Sequence, residues 1–182
     1  MGVMGMFSDT SGTAQPTDLF SELGQDIETS SEAIKASELV YPNAGDMFGH
    51  ITVKGTAVDA DVYYGDGSRQ LNRGAGIYTG GGIPGGSGTI LMAGHCNTYF
   101  HDLGSAAPGD KIVLKTHYGA YEYEVTGAKV ADYQDTSTYD FSRGDENLIL
   151  YTCYPFDSLG FTPERYFVYA KYVSGPMIDK TQ

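Results

Sequence analysis

The 182-residue sequence predicts a mainly β domain built as a closed or nearly closed barrel with few, short helices. Three observations carry this. Seven or eight short apolar or alternating runs recur along the chain, each bounded by Gly, Pro, Asn or Asp. The composition, 25 Gly and 15 Tyr with no Trp, suits a turn-rich β protein. The length suits one domain with a single core.

The elements follow in order. Residues 1–15 are mostly Gly, Ser, Thr and Met without a period, which reads as a flexible arm. From Pro16 the apolar positions Leu19, Phe20 and Leu23 fit a helical turn, and the acidic, Ser-rich run to Ser37 reads as its continuation. The division is therefore an N-terminal helical or flexible arm at 1–37 and a barrel domain at 38–182. A turn at 41–46 leads into strands at 48–53 and 57–63, with His50 read as a structural or surface histidine. Residues 65–88 read as loop because glycine dominates, notably Gly80-Gly81-Gly82 and Gly85-Gly86. That loop is no phosphate cradle, since no Lys-Ser/Thr follows it.

Residues 89–95, Thr-Ile-Leu-Met-Ala-Gly-His, form an apolar strand ending in a histidine. A helical turn at 97–103 packs Phe100 and Leu103. After strand 111–116, Tyr121-Glu122-Tyr123-Glu124-Val125 alternates apolar with charged, so both glutamates share the outward face and form no acid/base pair with the core. Residues 132–146 are polar but lack the Asp-x-Asp-x-Asp-Gly pattern of a calcium loop. Residues 148–151 and 166–173 are apolar strands flanking a loop punctuated by Pro155, Gly160 and Pro163.

Charge excludes one class of partner. A net charge of -12 with only 11 Lys and Arg provides no basic stripe for nucleic acid. No run approaches the ~20 apolar residues of a membrane span, and the first six residues lack the Ser/Thr that myristoylation requires at the sixth position.

The chemistry-bearing residues are Cys153, His95 and Arg165, far apart in sequence but each at the end of a strand. A thiol, an imidazole and a guanidinium at the lip of one sheet are the equipment of cysteine acyl transfer. A free thiol with pKa near ~8.5 is only about 3% thiolate at pH 7, and a neighbouring imidazolium raises that fraction. Cys96 follows His95 directly, and adjacent residues of an extended strand face opposite ways; two free thiols are expected rather than a disulfide. His101-Asp102 is a weaker base and orienter pair, and a zinc site from Cys96, Cys153, His95 and His101 matches no closed zinc spacing.

At these residues the chain resembles the sortase family, over residues 41–173. Thr152-Cys153 is similar to the end of the family's Thr-Leu-x-Thr-Cys signature, Gly94-His95 to its histidine motif and Arg165 to its downstream arginine. Cys-Tyr-Pro-Phe and Thr-Pro-Glu-Arg-Tyr-Phe-Val resemble class D most. Ile149 departs from the signature, standing where its first Thr would be. The resemblance implies an eight-stranded barrel and no cofactor or metal. It further implies Cys153 as nucleophile, His95 as general acid/base and Arg165 as stabiliser of substrate carbonyl or oxyanion. It implies cleavage of a Leu-Pro-x-Thr-Gly-like (LPXTG) sorting signal between Thr and Gly, and transfer of the acyl group to a cell-wall precursor amine of the lipid II type. The implied location is the extracellular face of the Gram-positive cytoplasmic membrane, through an anchor absent from this chain. Ile149, Tyr151, Thr152, Tyr154 and Phe156, around the cysteine, are the expected walls of the signal pocket. Two alternatives stay open: a hydrolytic cysteine protease using the same residues, and a non-catalytic surface β-barrel binding module with an inert thiol.

Overall fold

The computed structural model describes residues 17–23, 32–157 and 160–181. Within them, eight strands close a barrel. These are β2 (Met47–Val53), β3 (Asp59–Tyr64), β4 (Ala75–Ile77), β5 (Thr89–Ala93), β6 (Lys111–Thr116), β7 (Gly119–Asp132), β8 (Asn147–Tyr154) and β9 (Glu164–Ser174). Their order around the barrel is β2-β3-β4-β5-β8-β9-β7-β6, and β6 pairs back onto β2. The pairs β3–β4 and β5–β8 are parallel and the others antiparallel. Two short strands outside the barrel, β1 (Ile34–Lys35) and β10 (Ile178–Asp179), pair in parallel. The helices are α1 (Leu19–Leu23) and α2 (Ser68–Leu71).

Alternation explains how one sequence fills the barrel and coats it. Tyr121, Tyr123 and Val125 of β7 are buried inside. Glu122 and Glu124 point outward, where Lys111 Nζ reaches Glu124 Oε1 at 3.1 Å and Glu122 Oε2 at 3.4 Å. Phe48, Ile51, Ile90, Met92, Ile112, Leu114, Leu148, Leu150 and Val168 complete the interior. Phe100 and Leu103, from the turn after β5, plug one end of it and are fully buried. His50 on β2 lies between Asp59 and Asp61 of β3, with Nδ1 3.0 Å from Asp61 Oδ1, in the structural role expected of it.

Three elements differ from the sequence reading. The glycine-rich stretch 65–88 contains α2 and β4. Residues 34–35 are strand rather than helix, because Ile34 N–H is drawn to Met177 O at 2.9 Å and Ile34 pairs with Ile178. β7 runs on to Asp132, pairing with β9 as far as Glu164. The arm expected at 1–15 and the helix expected through 24–31 lie outside the described residues.

A buried carboxylate ties the glycine-rich loop to the barrel floor. Glu146, immediately before β8, accepts from Gly85 N at 2.9 Å, Ser87 N at 3.2 Å and Tyr123 Oη at 2.5 Å. Gly85 has φ of 82°, and a Cβ there would lie 2.5 Å from Tyr121 Oη, so glycine is required where the loop seats. Burial pushes the Glu146 pKa up against these hydrogen bonds, and it stays above the usual value. Between the ordinary glutamate pKa and the raised one the folded state binds more protons than the unfolded chain. The group's contribution to stability is therefore complete below that window and falls as pH rises through it. Glu146→Gln cannot titrate, so its deficit relative to the native protein is expected to shrink as pH rises above the ordinary glutamate range, read from urea midpoints. Glu146→Ala orphans the three donors, at about 1–3 kcal/mol each.

Candidate active site

The site lies on β8 and its two neighbours, outside the barrel wall. Even-numbered residues of β8, Leu148, Leu150 and Thr152, face the interior; Ile149, Tyr151 and Cys153 face out. Cys153 and Arg165 are direct cross-strand partners, a relation that brings Cβ atoms within about 5 Å. On the other flank, Ala93 of β5 is level with Tyr151. His95, two residues beyond the end of β5, is half-exposed and follows this pairing on the flank of β8 opposite β9 and Arg165.

Local contacts hold His95 at that lip. Gly94 N–H donates to Tyr151 O at 3.2 Å, and Thr152 Oγ1 donates to Gly94 O at 2.6 Å. A Cβ on residue 94 would sit 2.5 Å from the Phe100 ring, which explains glycine before the histidine. Phe100 N–H closes the turn onto His95 O at 3.0 Å. Cys96 is buried on the opposite side, whereas Cys153 is half-exposed, and the two form no disulfide. Among the described residues no three His, Cys, Asp or Glu side chains are grouped so as to hold a metal ion. Asp102 accepts from Ala57 N and Ser105 Oγ, each at 2.7 Å, and so closes turns rather than accepting from the His101 ring.

Arg165 is braced for presentation. Its Nη1 donates to Thr162 O at 2.6 Å and Glu164 O at 2.8 Å, and its Cζ stands 5.4 Å from the Tyr133 ring centre and 5.8 Å from that of Phe161. These contacts use one nitrogen and leave Nε and Nη2 available to an incoming oxygen.

Beside Cys153 and Arg165 runs a groove of about 540 Å³. Leu91, Tyr151 and Phe167 form its floor, from β5, β8 and β9. Its walls are Tyr78, Tyr133, Tyr139 and Phe141, and its two charged residues are Arg165 and Asp66. Burial, and then the charge of Asp66, push the Tyr151 pKa up to about 12 against the pull of Arg165, so its hydroxyl stays protonated in the physiological range.

Of the residues expected to wall a signal pocket, Tyr151 lines this groove. Ile149 is buried below it with Leu91 and Phe167, packed by Tyr139 and Tyr169. Thr152 faces inward and is 2% exposed. Tyr154 and Phe156 cluster with Tyr166, and a Cβ on Gly104 would lie 2.7 Å from the Phe156 ring, so this group closes the barrel end instead. The period of two puts Thr152 and Tyr154 on the face opposite Cys153. The four aromatic walls of this groove come from loops, where the sequence has no periodic signal.

Residues 51–173 match the family model for the sortase domain. The chain belongs to the sortase family. Sortase D of Bacillus subtilis (strain 168) is 31% identical over 147 residues, spanning 81% of this chain and 74% of that protein. Sortase A of Listeria monocytogenes superposes with a TM-score of 0.64 at 27% identity, over 74% of this chain and 92% of that one. A Clostridium perfringens sortase D5 transpeptidase has the same fold, with a TM-score of 0.64 at 23% identity over 72% of this chain and 82% of that one. This sortase is most like class D, and it is a sortase-type transpeptidase with the family's eight-stranded barrel.

Proposed function

We propose that this sortase cleaves an LPXTG-like signal between Thr and Gly through a thioester on Cys153. The acyl group then passes to a cell-wall precursor amine of the lipid II type. The observation that carries the reading is the cross-strand pairing of Cys153 with Arg165, with His95 just beyond the end of β5 on the other flank of β8 and an aromatic groove that Arg165 lines. In the first half-reaction the Cys153 thiolate attacks the Thr carbonyl carbon. The Nε and Nη2 hydrogens of Arg165 meet the oxyanion, and His95 gives its proton to the departing amine as the C–N bond breaks. In the second, the acceptor amine attacks the thioester, His95 takes its proton, and the thiolate leaves with the bonding pair. Sortases work at the Gram-positive cell surface, and we place this one on the outer face of the cytoplasmic membrane.

Mass spectrometry of the protein with an LPXTG peptide and an amine tests this. The expected result is a peptidyl adduct on Cys153 that ends at Thr and converts to ligated peptide when amine is added. An adduct that yields only hydrolysed peptide at every amine concentration would show a protease instead, and no adduct would overturn acyl transfer.

A further inference from the structure

Asp66 is the unusual member of the groove. It follows β3 in Gly65-Asp66-Gly67 and is half-buried, yet its carboxylate makes no hydrogen bond or ion pair among the described residues. Loop aspartates elsewhere are occupied: Asp46, Asp102, Asp135 and Asp140 each accept a backbone N–H. The position of Asp66 is nonetheless fixed, because its backbone packs on β4. A Cβ on Gly76 would lie 2.3 Å from Gly65 O and 3.0 Å from Asp66 Cα.

Filling the groove strips water from this carboxylate, so the occupant must return a donor or a positive charge. The surrounding walls suit a cation. Tyr78 and Phe141, 39% and 36% exposed, stand with ring centres 5.4 Å apart on the groove rim, and aromatic faces attract ammonium and guanidinium groups. Arg165 does not meet the need, being held at the other flank by Tyr133, Phe161 and the carbonyls of its own loop.

The place of Asp66 along a bound peptide follows from the sheet. From β8 the route crosses β5 and β4 to the end of β3, three steps of about 4.8 Å, and the registers, continued past β3, put Asp66 level with Leu148 rather than with Cys153, so Asp66 lies on the order of 15–20 Å from the nucleophile. Extended peptide rises about 3.3 Å per residue, which makes this about five or six residues. The floor residues Leu91, Tyr151 and Phe167 lie along the part of β8 that precedes Cys153, and Arg165 lines the same groove; on the acyl-transfer reading the groove holds the acyl portion, upstream of the cut.

We infer that Asp66 is a specificity-determining residue, selecting sorting signals with a lysine or arginine one or two residues before their leucine. This rests on the acyl-transfer reading of the same groove. Two sets of LPXTG peptides test it, one varying the residue directly before Leu and one the residue before that, each with Lys, Gln or Glu. Adduct formation on Cys153 and kcat/KM are read for the native protein, Asp66→Asn and Asp66→Lys. In at least one set the native protein is expected to prefer Lys over Glu by about fivefold or more at low salt. Asp66→Asn should bring that ratio near one and Asp66→Lys should invert it. A native ratio near one in both sets, or a preference that survives both substitutions, overturns the role of Asp66 while leaving acyl transfer intact. Absence of a Cys153 adduct with every peptide, the parent LPXTG peptide included, removes both.

Discussion

Cys153→Ala is expected to lower peptide acyl transfer by about 10⁴-fold or more, the scale on which the loss of a covalent nucleophile registers. No neighbouring group can replace the sulfur. Tyr151, next on the same outward face, keeps its proton because burial and Asp66 push its pKa up to about 12, and Cys96 is buried behind the wall. Cys96→Ala should therefore retain most activity, with a modest fall in melting temperature from the sulfur removed from a packed site. The pair of variants is informative together. If Cys96→Ala were as inactive as Cys153→Ala while still folded, Cys153 would lose its assignment as nucleophile.

Arg165→Ala is expected to cost about 10²–10³ in kcat, or about 2.7–4 kcal/mol, the usual loss for one oxyanion donor. Arg165→Lys should recover little. A lysine brings a point charge without the planar fork, and it forfeits the arrangement in which Nη1 is spent on Thr162 O and Glu164 O so that the other edge faces outward. Steady-state kinetics separate the roles. A fall in kcat places the arginine at the transition state; a raised KM with unchanged kcat would mean that it only holds the ground-state peptide. Removing the guanidinium also bares Tyr133 and Phe161, already 46% and 71% exposed, so thermal melts should accompany the kinetics.

The parts of this molecule legible in the sequence are those in which one strand stands alone. The apolar runs of β5 and β8 and the alternation of Tyr121 through Val125 declared themselves without partners. Register did not, because it belongs to pairs: nothing in the order of residues says that Cys153 meets Arg165 or that β5, which leads to His95, pairs with β8 on its other side. β4 was hidden by its own glycines. Gly76 reads as a loop signal, yet it is there because its strand presses against the backbone of Gly65 and Asp66. The lining of the groove is hidden for a related reason. Proximity to Cys153 in sequence points to Tyr154 and Phe156, whereas Tyr78 comes from the loop after β4, Tyr133 and Phe141 from the connection between β7 and β8, and Asp66 from the loop after β3.

The two-residue repeat of β8 also sets the terms on which this strand can change. Inserting or deleting one residue ahead of Cys153 would turn its sulfur into the hydrocarbon interior and bring a core side chain out to the peptide. Length variation in β8 is thus restricted to even steps, whereas the loops supplying the groove walls can lengthen by any number. Over time, such a scaffold can diversify what it recognises while its reaction stays the same.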